Sequence, residues 1–188
     1  SSPVATVAPC SAHTLIIMWD STLWSWGANA SGQLGDGTYS TRNTPAQVGV
    51  NIGWLEIAAG TGHSAALKKD GTLYLWGNNG SGQLGDGTTV TKNTPLQIIT
   101  PTNWSKVALG DMHTVAINKN GTIWAWGDNS FGQLGDGTAA SKNIPTQIGT
   151  DNNWSSVATG WYHTLALKNN GTLWAWGDNT FGQLGDGS

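Results

Sequence analysis

The hexapeptide GQLGDG occurs four times in this chain at a constant interval, at residues 32–37, 82–87, 132–137 and 182–187. A histidine and a Trp-Gly pair recur at the same interval, and no unit gains or loses a residue. A fixed period of this size is typical of solenoids and propellers, in which each unit buries its apolar surface against its neighbours. We therefore predict one repeat domain, 1–188, with units at 1–50, 51–100 and 101–150 and an incomplete fourth unit at 151–188.

Each unit has the pattern of short strands. In the second unit WLEIAAG (54–60) is a weak strand signal, and HSAALKKDGTLYLWG (63–77) is a strong hairpin signal, because Asp70-Gly71 can adopt the positive φ angles of a tight turn. The first unit has a poorer turn former, Asp20-Ser21. Pro95 limits its own segment to a strand start or a sheet edge. About four short strands per unit and no amphipathic helix predict an all-β chain of propeller blades.

The composition is that of a folded chain with a weakly charged surface. Hydrophobic residues make up 38% of the chain, with 12 tryptophans, and only 10% of residues are charged, with a net charge of −3. The sequence has no apolar run long enough to span a bilayer and no signal-peptide pattern, and an acidic chain meets a polyanion poorly. We expect neither a membrane nor a nucleic acid as partner. The single cysteine, Cys10, stands where other units have glycine and is expected to be small and buried.

The segment GTGHSAALKKDGTLYLWGNNGSGQLGDGT (60–88) and its counterparts resemble the repeats of the regulator of chromosome condensation family, in their bacterial form. Gly, His, Asp/Asn-Gly, Trp-Gly, Asn and Gly-Gln-Leu-Gly fall in this order four times, over essentially the whole chain. The resemblance implies a β-propeller, typically of seven blades. The first unit departs most, because Val4 replaces a tryptophan of the other units and Cys10 and Ser21 replace glycines.

The hexapeptide is interpreted as the joint between blades. Its glycines supply backbone conformations that other residues resist, Leu34 fills the gap between blades, and Gln33 and Asp36 bond to loop backbone. A phosphate-binding loop is the weaker alternative, because no Lys-Ser/Thr and no helix follow. A calcium site is also weaker, since the closing Glu of such loops is missing. Its oxygen ligands would come from Asp128, Asn129, Ser130 and Asp136.

The recurring histidines and tryptophans are expected to be a structural framework, with each imidazole bonded inside its blade and each indole in the core. They are His13, His63, His113, His163, Trp26, Trp76, Trp126 and Trp176. A ring of histidines around a metal is the alternative, although metal ligands usually cluster at short range. No catalytic triad and no recurring carboxylate pair stands out, so we expect no enzyme, no metal and no cofactor.

Function is sought where the units disagree, because packing fixes the shared positions. Between the Gly and the His of each unit stand Ser11-Ala12, Thr61-Gly62, Asp111-Met112 and Trp161-Tyr162. Trp and Tyr are enriched at binding hot spots, so Trp161, Tyr162, Asp111 and Met112 are the predicted partner-binding residues. The alternative is that both aromatics only cover a neighbouring blade or an open end of the array. A looser candidate is the variable stretch at 38–42, 88–92 and 139–142.

Three classes of function remain open at this point. The first is a non-enzymatic scaffold for an unknown protein partner, similar to secreted inhibitors and surface proteins among bacterial members of the family, which favours a secreted or cell-surface location. The second is nucleotide exchange on a small GTPase with chromatin binding, which the family resemblance implies. That activity uses a wedge outside the regular blade and a basic tail, whereas these units are equal in length and hold 8 Lys and Arg. The third is a structural or designed array.

Four units are about half of a propeller ring, and an open ring leaves apolar faces and a sheet edge uncovered. We therefore predict a homodimer through blade edges that forms an eight-bladed ring, with the first blade, 4–37, against the fourth, 151–187, of the partner. The alternatives are a piece of a longer propeller, a compact four-bladed monomer, and an open array that polymerises through its ends.

Overall fold

The computed structural model describes residues 3–187, whose regular structure consists of fifteen β-strands in four antiparallel sheets. Blade 1 contains β1 (Val4–Pro9), β2 (His13–Met18), β3 (Leu23–Gly27) and β4 (Arg42–Gln47). Blade 2 contains β5 (Trp54–Ala59), β6 (His63–Lys68), β7 (Leu73–Gly77) and β8 (Lys92–Ile98). Blade 3 contains β9 (Trp104–Leu109), β10 (His113–Asn118), β11 (Ile123–Gly127) and β12 (Lys142–Gln147). Blade 4 contains β13 (Trp154–Thr159), β14 (His163–Lys168) and β15 (Leu173–Gly177). The predicted all-β fold of short strands is confirmed.

Within each sheet the strands follow one another in chain order, and each central hairpin has the same register. In blade 2, for example, His63 pairs with Gly77 and Leu67 pairs with Leu73. The turn glycine Gly71 has a φ of 90°, and Ser21 adopts the same left-handed region with a φ of 63°. Asp20-Ser21 therefore makes the turn in blade 1 although serine resists this conformation, and Asp20 Oδ1 supports it by accepting a hydrogen bond from the Thr22 amide.

The core lies between the blades. Each blade presents one face, here called its leucine face, to the next blade, and the opposite face, here called its tryptophan face, to the preceding one. Between blades 2 and 3, Leu67, Leu73 and Leu84 pack against Trp104 and Trp126. The other two joints bury equivalent residues of blades 1 and 2 and of blades 3 and 4. A single sheet cannot cover its own two faces, so the apolar side chains of each blade are buried only by the neighbouring blades.

Across the residues that the structure describes, blades 1 and 4 each have one face that no neighbouring blade covers. On the leucine face of blade 4, Leu173 is 67% exposed, whereas its counterpart Leu73 is fully buried. On the tryptophan face of blade 1, Val7 is 62% exposed, whereas its counterpart Ile57 is buried. Trp26, predicted to be core, is for the same reason only half-buried. Within residues 3–187 no helix is long and apolar enough to cross a membrane.

The hexapeptide lies at these joints and bonds to the blade that follows it. The Gln33 carbonyl accepts hydrogen bonds from Trp76 Nε1 at 2.9 Å and from Ser64 Oγ at 2.8 Å, both on blade 2. The Gly37 amide donates to the Asn93 carbonyl at 2.9 Å, and Asn93 Nδ2 donates back to the Gly37 carbonyl at 2.8 Å. The hexapeptide thus supplies polar contacts beside the apolar core of the joint.

Two other functions considered for this loop conflict with its bonding. The amides that a phosphate would need are already used, because the Leu34 amide donates to Asn29 Oδ1 and the Gly35 amide to the Gly32 carbonyl. In the third loop, the Asp136 carboxylate bonds to Asn129 and Thr138 and pairs with Lys142. Residues 3–187 contain no group of three or more His, Cys, Asp and Glu side chains that could hold a metal ion.

The second glycine of the hexapeptide is required by close packing. A Cβ on Gly85 would lie 2.7 Å from Trp126 Nε1, whereas a Cβ on Gly87 would find its nearest neighbour at 3.8 Å. Both glycines have a positive φ, 73° and 81°. Alanine at either position therefore meets the same backbone strain, but only at Gly85 does it also collide with the next blade.

We predict that Gly85→Ala lowers the free energy of unfolding by about 1–3 kcal/mol more than Gly87→Ala, because only the first variant overpacks the joint. Urea unfolding followed by tryptophan emission measures both values. Equal destabilisation by the two variants would contradict the assignment of the hexapeptide as the joint.

Candidate functional site

The framework histidines connect neighbouring blades. His13 Nε2 lies 2.8 Å from the Ser64 hydroxyl of blade 2, and that hydroxyl donates its own proton to the Gln33 carbonyl. The hydroxyl oxygen must therefore accept, so the imidazole carries its proton on Nε2. His63 and His113 repeat this arrangement with Thr114 and Thr164. The structure thus places these imidazoles in bonds to the next blade, whereas the sequence interpretation placed their bonds inside one blade.

Burial keeps these imidazoles neutral. Nδ1 of His13, His63 and His113 is buried without a hydrogen-bond partner. Loss of hydration lowers the pKa of His13 and of His113 to about 4 and that of His63 to about 3. His163, on the open leucine face of blade 4, is only half-buried. Since each imidazole lies in a different joint, the residues do not converge as ligands of one ion.

The glycine three residues before each histidine lies against its ring. A Cβ on Gly60 would lie 2.6 Å from Cε1 of His63. In blade 1 this position is Cys10, which the sequence led us to expect as buried and which is half-buried instead. Cys10 lines a small pocket of about 180 Å³ together with Gly60, Gly110 and Trp161.

The predicted partner-binding residues come together on two adjacent turns. Asp111 and Met112 lie between β9 and β10, and Trp161 and Tyr162 lie between β13 and β14. The Asp111 amide donates to the Trp161 carbonyl at 3.1 Å, and the Tyr162 hydroxyl donates to Asp111 Oδ2 at 3.2 Å. The carboxylate also raises the pKa of Tyr162, because it disfavours the phenolate. Trp161 itself is 71% exposed.

The sequence interpretation missed Phe131, which belongs to the same surface. Its ring lies 5.1 Å from that of Tyr162, between ring centroids, and it is half exposed. A signal for it existed, because this position is serine in the first two units and phenylalanine in the last two. Asp111, Met112, Phe131, Trp161 and Tyr162 are called the aromatic–acidic patch below. The looser candidate stretches lie in the exposed loops that lead into β4, β8 and β12.

Comparison with known proteins identifies the family. Residues 1–188 match the family model of the RCC1-like domain. This chain belongs to the RCC1-like domain family. The RCC1-like chain superimposes on human WBSCR16 with a TM-score of 0.89 and 28% identity, over all of its own length and 51% of that protein. It superimposes on Prp20p from Saccharomyces cerevisiae with a TM-score of 0.83 and 26% identity, over 98% of its length and 48% of Prp20p.

A sequence relative supports the same family over a short stretch. The Danio rerio protein named RCC2 homolog is 51% identical over 37 residues, which are 20% of this chain and 8% of that protein. The RCC1-like chain thus spans about half the length of the solved structures described above. The predicted β-propeller fold and the family resemblance are confirmed, and the bacterial form of the repeats stays a prediction.

The neutral histidines make stability depend on pH. In the unfolded chain a histidine takes up a proton below about pH 6.5, whereas the three buried rings stay neutral down to about pH 4 or 3. Their stabilising contribution is complete above about pH 6.5 and is lost as the pH falls from there toward the folded pKa values. At pH 5 each ring costs on the order of 2 kcal/mol.

We therefore predict that the free energy of unfolding falls between pH 7.5 and pH 5, and that His63→Gln reduces this fall by about one third while lowering stability at both pH values. The joint carboxylates do not interfere, because the pKa values of Asp36, Asp86 and Asp136 are lowered and these groups titrate at more acidic pH. Urea unfolding at several pH values is the measurement. Equal stability at pH 7.5 and pH 5 would show that the histidines are not held neutral.

Proposed function

We propose that this RCC1-like chain is a non-enzymatic scaffold that binds a protein partner through the aromatic–acidic patch. The observation that carries the proposal is the exposure of Trp161 on a turn whose neighbours fix it. The same positions are Ser11-Ala12 in blade 1 and Thr61-Gly62 in blade 2, so the blade framework does not need a large aromatic side chain there. An exposed indole on a turn whose backbone is bonded to the neighbouring turn, next in the chain to a second aromatic residue, is typical of a binding hot spot.

The chemistry of the patch favours a positively charged partner. The indole face of Trp161 attracts a lysine or arginine side chain, and the carboxylate of Asp111 lies on the neighbouring turn. The Asp128 carboxylate also lies in this region, where it bonds to Gln133 and Ser130. With a net charge of −3, the chain as a whole attracts a basic segment. Among the solved relatives, Prp20p has binding properties toward Gsp1p and histones, which supports a protein partner for this fold.

The structural role of the histidines favours binding over catalysis, because the three buried imidazoles are used in bonds between blades. His13, His63 and His113 are buried and each bonds to a hydroxyl of the next blade. The patch itself offers aromatic rings, a thioether and a carboxylate, which suit recognition. The secreted or cell-surface location stays a prediction.

We predict that Trp161→Ala weakens partner binding by about 2 kcal/mol, a roughly 30-fold loss of affinity, without changing stability. Tyr39→Ala is the matched control, because Tyr39 is also an exposed aromatic, at 54%, but lies in the looser candidate stretch. Partners are captured from cells of the source organism, and the affinity of the captured protein is then measured for each variant. The patch is refuted if Trp161→Ala binds as tightly as the unaltered chain.

Nucleotide exchange on a small GTPase is the second candidate, supported by the binding of Gsp1p by Prp20p. This chain covers 48% of Prp20p, and its units are equal in length without an inserted wedge. We expect no acceleration of fluorescent GDP release from a Ran-type GTPase. Acceleration that saturates with the concentration of this chain would replace the scaffold proposal.

We further propose that two copies assemble as a homodimer through their blade edges. The open leucine face of blade 4 and the open tryptophan face of blade 1 support this proposal, because each is equivalent to a face that a neighbouring blade covers at the internal joints. A two-fold arrangement uses both open faces of both copies and closes the ring.

A further inference from the structure

We infer that the two copies join through a copy of the internal joint, in which the hexapeptide 182–187 of one copy binds Thr14, Trp26 and Asn43 on blade 1 of the other. The inference rests on the proposed self-assembly and assigns its contacts residue by residue. At every internal joint the glutamine carbonyl of the hexapeptide accepts a hydrogen bond from a hydroxyl of the following blade. The first and third joints add an indole N–H, and the first and second joints add an asparagine.

Blade 1 carries equivalents of all three groups that the hexapeptide 32–37 binds on blade 2. Thr14 is the counterpart of Ser64, Trp26 of Trp76, and Asn43 of Asn93. Ser64 is fully buried, whereas Thr14 is only partly buried and Asn43 is exposed. Blade 1 thus has the hydroxyl, the indole and the asparagine that a hexapeptide binds at an internal joint. It has them even though Val4 replaces a tryptophan and Cys10 and Ser21 replace glycines of the other units.

Blade 4 carries the hexapeptide side of the same joint. Its hexapeptide keeps the left-handed glycines of the internal ones, with φ values of 68° at Gly185 and 84° at Gly187. The void that a tryptophan fills elsewhere is empty here, because no atom lies within 4 Å of a Cβ built on Gly185. Beside it, His163 occupies the position from which His13 reaches the Ser64 hydroxyl, and Thr14 of the second copy is the equivalent hydroxyl.

The apolar surfaces on either side of this joint also match. Leu167, Leu173 and Leu184 of blade 4 correspond to residues that are buried against the next blade in blades 2 and 3. Phe181 is 91% exposed, while its counterpart Phe131 packs on Tyr162 of the following blade. On blade 1, Trp19 stands beside the missing tryptophan, with its Nε1 donating to the Val4 carbonyl at 3.1 Å. Trp19 therefore places an indole next to Val4, the position at which the other units have a tryptophan.

A pair of glycine variants tests the joint between copies without disturbing the internal ones. The corresponding Cβ atoms on Gly35, Gly85 and Gly135 lie 2.6–2.7 Å from the indole Nε1 of the next blade. Gly185→Ala therefore collides with Trp26 of the second copy, whereas in a single copy it meets open space. Gly187→Ala is the matched control, since it has the same positive φ and its counterparts find no atom nearer than 3.8 Å.

Sedimentation equilibrium across a dilution series gives the mass of each protein, with circular dichroism as the check that both variants fold alike. We expect the unaltered chain and Gly187→Ala to have twice the single-chain mass of 19.7 kDa, and Gly185→Ala to raise the dimer dissociation constant by about 100-fold. Trp26→Phe removes the indole N–H on blade 1 that is equivalent to the Trp76 donor of the first joint, and we expect it to raise the dissociation constant by about tenfold.

Two results would overturn the inference in distinguishable ways. If the unaltered chain is a monomer, or if it grows into long polymers, the proposed two-fold self-assembly is wrong and the inference fails with it. If the unaltered chain is a dimer and Gly185→Ala dimerises equally well, the self-assembly proposal stands, and the assignment of the hexapeptide 182–187 to the joint is wrong.

Discussion

The fold depends on one backbone carbonyl per blade, that of the glutamine in the hexapeptide. In the first joint the Gln33 carbonyl accepts protons from a hydroxyl and an indole of the next blade, and the hydroxyl in turn accepts from His13. A buried carbonyl without partners would cost free energy, so a hydroxyl donor must face it at every joint, as Ser64, Thr114 and Thr164 do. The glycine two residues later leaves the space in which the indole reaches that carbonyl. The hydroxyl bond to this carbonyl is present in all three joints and the indole bond in the first and third, whereas Trp126 Nε1 in the second joint has no hydrogen-bond partner.

The sequence was sufficient to predict the blades, because a fixed period and repeated turn residues report local structure and stacking directly. It also located the joint, since three glycines at constant spacing have few other uses. It did not show which blade each framework residue bonds to. The partners of the histidines vary between serine and threonine, and they lie on the next unit, so no pattern within one unit identifies them.

The candidate site was predicted in part for a related reason. Trp161 and Tyr162 differ so strongly from their counterparts that comparison of the units was enough to single them out. Phe131 was missed because it belongs to a different loop, and only the fold brings that loop against Tyr162. The partial exposure of Trp26 and Cys10 likewise follows from their place in the array, which residue type alone does not specify. Packing between blades requires the same histidines, tryptophans and glycines in each unit, whereas the residues of the turns before each histidine differ between units.

The central claim is that an identical joint holds blades together within one copy and between two copies. Hydrogen exchange measured by mass spectrometry on the hexapeptide segments at low and high protein concentration tests this most directly. In a single copy the Gly37 and Gly87 amides are bonded to the next blade. The account predicts that segments 32–37 and 82–87 are protected at every concentration, and that protection of 182–187 rises with concentration toward theirs. Equally fast exchange of 182–187 at all concentrations would contradict the account.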